Sequence, residues 1–171
     1  EFEANFTFLG NEGPTMWFYT DKDAPRGRII AIDTTNPARA NWKELVPEAP
    51  ETLASVSVVG EHFIASYLKD ARSLVKVFDL SGRFVREVKL PGLGTAAGFG
   101  GRRAESETFY SFAAFTAPTT IYRYDVASGE QSVWDSLAIF ETLNEWFPDK
   151  GVWPADAQAR AADPDNVWLA R

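Results

Sequence analysis

The chain has 171 residues, of which 45% are hydrophobic and 14% aromatic, with Gly and Pro spread throughout, a composition that describes a β-rich globular protein and excludes a disordered one. A net charge of −7, with Arg102-Arg103 the only basic doublet, argues against nucleic acid or an anionic membrane as partner. Zero cysteines exclude disulfides, thiolate catalysis and Cys-ligated metals, yet suit the cytoplasm and the periplasm equally.

In chain order, the first strand candidate is Phe6-Thr7-Phe8-Leu9, followed by an aromatic-rich strand from Met16 to Thr20. A polar link leads to Arg28-Ile29-Ile30-Ala31-Ile32-Asp33, a β-rich run that stops at a carboxylate. The same phrase returns as Phe63 to Leu68 followed by Leu74-Val75-Lys76-Val77-Phe78-Asp79, and again as Phe109 to Phe115 followed by Thr120-Ile121-Tyr122-Arg123-Tyr124-Asp125. Asp33, Asp79 and Asp125 are therefore 46 residues apart each time. The turns Asp79-Leu80-Ser81-Gly82 and Asp125-Val126-Ala127-Ser128-Gly129 place Asp where its side chain bonds the backbone two residues on, and Gly where a positive φ is cheap. A period in the forties, with about four short strands per unit and no 3.6-residue periodicity, predicts all-β structure: a partial β-propeller of about three four-stranded antiparallel blades over residues 1–134. Closed propellers need at least four blades, and a strand is under way almost from Glu1, so the expectation is a fragment of something larger.

After Trp134 the pattern changes. Asp135 serves as an N-cap for a run in which Leu137, Phe140, Leu143, Asn144 and Phe147 recur at helical spacing, with Ile139 and Trp146 broadening the apolar face, before Pro148 and Gly151 end it. This predicts an amphipathic helix over 135–147 and an irregular tail to Arg171, so that 135–171 form a second segment of unknown affinity. No stretch reaches about eighteen apolar residues and no basic-then-apolar leader is visible, so a soluble protein is expected.

The loops between the strands carry a family resemblance. Gly10-Asn11-Glu12-Gly13, Thr20-Asp21-Lys22-Asp23-Ala24-Pro25-Arg26, Asn41-Trp42-Lys43, Val46-Pro47-Glu48, Ser66-Tyr67-Leu68-Lys69-Asp70-Ala71 and Leu90-Pro91-Gly92-Leu93-Gly94 occur in order, and Thr108 to Asp125 closes the series. From about Phe6 to Trp134 the chain resembles the N-terminal propeller domain of the prolyl oligopeptidase family of serine peptidases. The resemblance implies a parent in which a seven-bladed propeller caps an α/β-hydrolase domain that cleaves short peptides after proline with a Ser, Asp and His triad. The family's Tyr-Pro-Ser-Lys-Asp-Gly-like entry to the hydrolase is missing after Trp134, and no Ser lies in a Gly-x-Ser-x-Gly elbow. No catalytic, cofactor-binding or metal-binding residue is therefore assigned, and no cofactor is expected.

Single residues that invite sharper readings have bland ones that fit better. His62, the only histidine, is expected as an exposed residue of the Gly60-Glu61-His62-Phe63 turn. Asp21, Lys22 and Asp23 lack the Gly at the sixth place that a calcium loop needs, where Arg26 stands. Glu48, Glu51 and Glu61 are expected as solvated surface rather than as a glycosidase pair. Gly92, Gly94, Gly98, Gly100 and Gly101 lack the Lys-Ser of a phosphate loop and are expected at strand ends and turns. A propeller glycosidase or lectin would repeat carboxylates at the channel ends of its strands, which these loops do not. The leading expectation is a gating propeller fragment whose partners are the parent's hydrolase domain and short peptides, with self-association through open blade faces; the alternative is a stand-alone binding module for a protein or peptide.

Overall fold

The computed structural model describes residues 4–115 and 117–134, which lie in one compact unit, Glu1–Trp134. The helix expected over 135–147 and the tail after it lie outside the described residues. Three four-stranded antiparallel sheets follow one another along the chain, each a simple meander. The first blade is β1 (Phe6–Glu12), β2 (Thr15–Thr20), β3 (Arg28–Asp33) and β4 (Lys43–Val46). The second is β5 (Thr52–Val59), β6 (His62–Lys69), β7 (Arg72–Asp79) and β8 (Phe84–Glu87). The third is β9 (Thr95–Gly100), β10 (Glu107–Ala114), β11 (Ala117–Asp125) and β12 (Gln131–Val133). Among the described residues the only helical element is a 3-10 turn at Arg39–Asn41.

The blades stack face to face, and the middle one shows how the sequence does it. Side chains alternate across a strand, and in β6 the alternation is hydrophobic on both faces. Phe63, Ala65 and Tyr67 join Trp17, Ile29, Ala31, Val46 and Leu53 in a core with the first blade. Ile64 joins Val75, Val77, Phe99, Tyr110, Phe112 and Tyr124 in a core with the third. Aromatic edges and faces interlock within these cores: Trp17 meets Phe63 edge-on at 5.5 Å, and Phe99 stacks on Tyr110 at 4.5 Å.

The backbones of neighbouring blades approach at their first strands, β1 to β5 and β5 to β9, and also where β7 meets β9. Each first strand is bulged against its neighbour, between Phe8 and Gly10, between Leu53 and Ser55, and opposite Phe109 and Tyr110. An extra residue in the first strand of every blade adds local twist to the meander. In β9 the bulge is made by Gly98 at φ 114° and Phe99 at φ 59°. Gly98 is therefore a mid-strand residue rather than the turn or strand-end glycine expected: a Cβ there would lie 2.9 Å from the Phe109 carbonyl. His62 also departs from expectation. The turn is Gly60-Glu61, with φ 55° and 60° as a two-residue I′ hairpin requires, and His62 is the half-buried first residue of β6, its Nδ1 against the Gly60 carbonyl.

Candidate functional site

In a meander the first-to-second and third-to-fourth strand turns lie at one end of the blade, and the second-to-third turns and blade-to-blade links at the other. At the former end the first-to-second turns of all three blades meet at one side chain. Arg103, in the β9–β10 loop, donates from Nε to Glu61 Oε1 at 2.8 Å and from Nη2 to Glu61 Oε2 at 2.6 Å, a bidentate pair with the second blade. Its Nη1 reaches the Asn11 carbonyl at 3.1 Å and its Nη2 reaches Glu12 Oε1 at 3.1 Å, both in the first blade. The guanidinium also lies 5.3 Å from the ring of Trp17, itself only 3% exposed.

Local structure places each partner. The I′ turn aims Glu61 outward and along the sheet stack. The loop carrying Arg103 is closed by Glu105, whose amide donates to the Arg102 carbonyl at 3.0 Å while its carboxylate accepts from the Arg102 amide at 2.8 Å. The loops approach so closely that a Cβ on Gly60 would lie 3.0 Å from the Glu105 carbonyl. Donation by Arg103 holds the Glu61 carboxyl below its ordinary range, and Glu61 and then Glu12 raise the guanidinium. This is a clasp built from permanent charges. It joins three blades at the rim of their common axis.

The other residues singled out by the sequence are used structurally. Asp21 Oδ1 accepts from the Asn5 amide at 2.7 Å, Asp23 pairs with Arg39, and Glu48 Oε1 accepts from the Arg26 amide at 2.6 Å. Glu51 is half-buried and bridges Lys69 at 3.3 Å and Lys76 at 3.6 Å. Glu51 and Glu61 are thus ion-paired rather than the merely solvated surface expected above: β6 and β7 of the second blade bring lysines to Glu51, and the third blade brings Arg103 to Glu61. Asp33, Asp79 and Asp125 do hold a recurring turn: each accepts from both the amide and the hydroxyl of Thr35, Ser81 or Ser128. Among the described residues no group of three His, Asp or Glu could hold a metal ion. Arg103 stands out in the sequence only as half of a basic doublet. The signal that finds it is that Glu12 ends the first strand of its unit and Glu61 and Arg103 closely follow the first strands of theirs.

The family model for the prolyl oligopeptidase N-terminal β-propeller domain matches residues 1–136. The chain belongs to the prolyl oligopeptidase family. It is 41% identical over 133 residues to the prolyl endopeptidase of Elizabethkingia miricola, covering 78% of this chain and 19% of that protein. To the prolyl endopeptidase of Dictyostelium discoideum it is 27% identical over 139 residues, 75% of this chain and 18% of that one. A solved prolyl endopeptidase structure superposes on 78% of the chain, and on 20% of its own length, with a TM-score of 0.74 at 40% identity. Prolyl oligopeptidase B of Galerina marginata, solved with a 25mer macrocyclization substrate, shares the fold at 23% identity and a TM-score of 0.70, over 78% of this chain and 19% of its own. This prolyl oligopeptidase segment thus spans about a fifth of the length of the relatives it matches, within their propeller, and no catalytic domain is covered.

Proposed function

We propose that these three blades are an arc of the substrate-gating propeller of a serine peptidase that hydrolyses short peptides after proline, and that they restrict entry to an α/β-hydrolase domain supplied elsewhere in the parent. The observation that carries this reading is the open arc itself. The outer face of the first blade shows Phe6 and Phe8 packed edge-on with Phe18 and Trp42, and that of the third shows Phe109 packed on Trp134 at 4.8 Å beside Ile121. Both faces carry the residue types that fill the inter-blade cores, so each is suited to a further blade. On this reading the described residues filter and the hydrolase domain of the parent cuts.

A chimera tests this. Residues 6–134 replace the matching stretch of the Elizabethkingia miricola prolyl endopeptidase, and cleavage of a proline-containing reporter peptide and of a folded protein is measured. The expected outcome is retained cleavage of the short peptide with the folded protein still refused. A soluble chimera that has lost that discrimination, or one that folds but processes no peptide, would overturn the gating role. The isolated chain is expected to show no turnover of the reporter, and hydrolysis by it that a serine-directed inhibitor blocks would contradict the assignment.

A further inference from the structure

The end of the blades opposite the Arg103 clasp holds a cleft of about 460 Å³ between the second blade and the link that leads from it to the third. Its walls are the β6–β7 turn, with the adjoining stretch of β7, and the link from β8 to β9. Both walls are pinned. The Ser73 amide donates to the Gly94 carbonyl at 3.0 Å, the Ala96 amide donates to Ser73 Oγ at 2.9 Å, the Val88 amide donates to the Val75 carbonyl at 2.8 Å, and Gln131 Nε2 donates to the Lys89 carbonyl at 2.6 Å. The charged side chains around the cleft are Lys69, Arg72, Lys76 and Lys89 against Glu51 and Glu87. On a chain with a net charge of −7 this is a local excess of cations.

The pairing within the cleft shows which charges are committed. Glu51 is shared by Lys69 and Lys76, and Lys76 also lies 4.8 Å from the centroid of the Tyr67 ring. Glu87 faces Lys76 across the β7–β8 ladder. Among the described residues, Arg72 and Lys89 take part in no ion pair or side-chain hydrogen bond, and they stand on opposite walls. The hairpin that carries Arg72 turns through Asp70 and Ala71, at φ 47° and 60°, which sets Lys69 and Arg72 side by side in register. Glu51 already shows that a carboxylate fits between cations here, and a guanidinium presents paired donors to a planar or tetrahedral oxyanion.

We propose that this cleft is an oxyanion-recognition site, in which Arg72 and Lys89 take from opposite walls a carboxylate of an acidic peptide or a free phosphate. The inference does not depend on the gating role, since it concerns only this cleft of the second blade and its outgoing link. The test is a titration of the full chain, followed by amide NMR shifts, with inorganic phosphate in one arm and an acetylated tetraglutamate peptide in the other. Saturable shifts confined to residues 69–74 and 87–92 are expected, with affinity lowered about tenfold by Arg72→Gln and about as much by Lys89→Gln, and unchanged by Lys43→Gln in the first blade. Because Arg72 and Lys89 support no other side chain, both variants are expected to keep the parent's spectrum elsewhere. Saturation by phosphate alone identifies a tetrahedral ligand, by the peptide alone a carboxylate, and either supports the site. No saturable shift in either arm, shifts spread over the lysines of all blades, or an affinity that both variants leave unchanged would overturn it.

Discussion

Asp79 shows what a repeated residue does at atomic scale. Its Oδ1 accepts from Ser81 Oγ at 2.5 Å, the Ser81 amide at 3.0 Å and the Arg83 amide at 3.0 Å, and its Oδ2 takes Arg83 Nε at 3.0 Å. The Ser81 hydroxyl foremost, and then the Arg83 amide, hold the carboxyl at about 2, below its ordinary 3.8. A depressed carboxyl stabilises the fold above its unfolded value and loses that contribution as pH falls through the folded one, so the loss falls between pH 3.8 and about 2. Asp79→Ala is expected to cost about 1 to 2 kcal/mol near neutrality and to flatten the acid limb of stability across that window, measured by denaturant unfolding at successive pH values. An acid limb identical to that of the unaltered chain would refute it. Arg103 makes a different prediction, since both members of its pair stay charged near neutrality. A double-mutant cycle of Arg103→Met with Glu61→Gln is expected to show favourable coupling that weakens as salt is raised; additive effects would mean that the blades hold together without the clasp.

At the scale of the element, a blade is a strand meander that must lean on the next one, and its turns are shaped for that contact. Gly82, in the β7–β8 turn at φ 88°, approaches the first blade so closely that a Cβ would lie 2.1 Å from the Leu45 carbonyl. Gly82→Ala therefore combines a strained backbone with a clash against main chain that has no rotamer to yield. The expected cost is about 3 kcal/mol or more, read from the unfolding midpoint, whereas Gly13→Ala, with nothing near its Cβ, is expected to cost only the backbone term of about 1 kcal/mol. Equal costs would show that the blades separate freely. The Asx turn and the close glycine thus share one loop in the second blade, where the carboxylate shapes the turn and the glycine admits the neighbour.

At the scale of the molecule, an arc of blades has two faces with nothing of its own kind against them among the described residues. If each aromatic face exposes roughly 300 Å² of apolar surface, then at about 25 cal/mol per Å² it forgoes about 7 kcal/mol, comparable with the net stability of a whole domain. The isolated chain is therefore expected to self-associate or to melt with little cooperativity. Light scattering after size exclusion over a wide dilution range checks this, with apparent mass falling on dilution as the expected result; a sharp monomer of 19.0 kDa at every concentration would show that the ends are covered. No helix among the described residues is long and apolar enough to cross a membrane.

The period was legible in the sequence because turn chemistry is local. An Asp that bonds the residue two or three places on needs no tertiary partner, and after Asp79 and Asp125 a glycine takes the positive φ, so the strands ending at Asp33, Asp79 and Asp125 could be bounded from residues alone. The middle strands were legible for a similar reason, since β6 and β7 are apolar on both faces. The short edge strands β4, β8 and β12 left little pattern, because strands of three or four half-exposed residues carry almost no alternation. The sites were decided by tertiary structure. Glu61 and Arg103 stand 42 residues apart, and only the stacking of one blade on the next brings them within hydrogen-bonding reach; Glu51 stands 25 from Lys76, and strand pairing within the second blade brings those two together. A sequence read by itself registers Glu51 and Glu61 as solvated surface, because the cations that change their environment lie on other strands, distant along the chain.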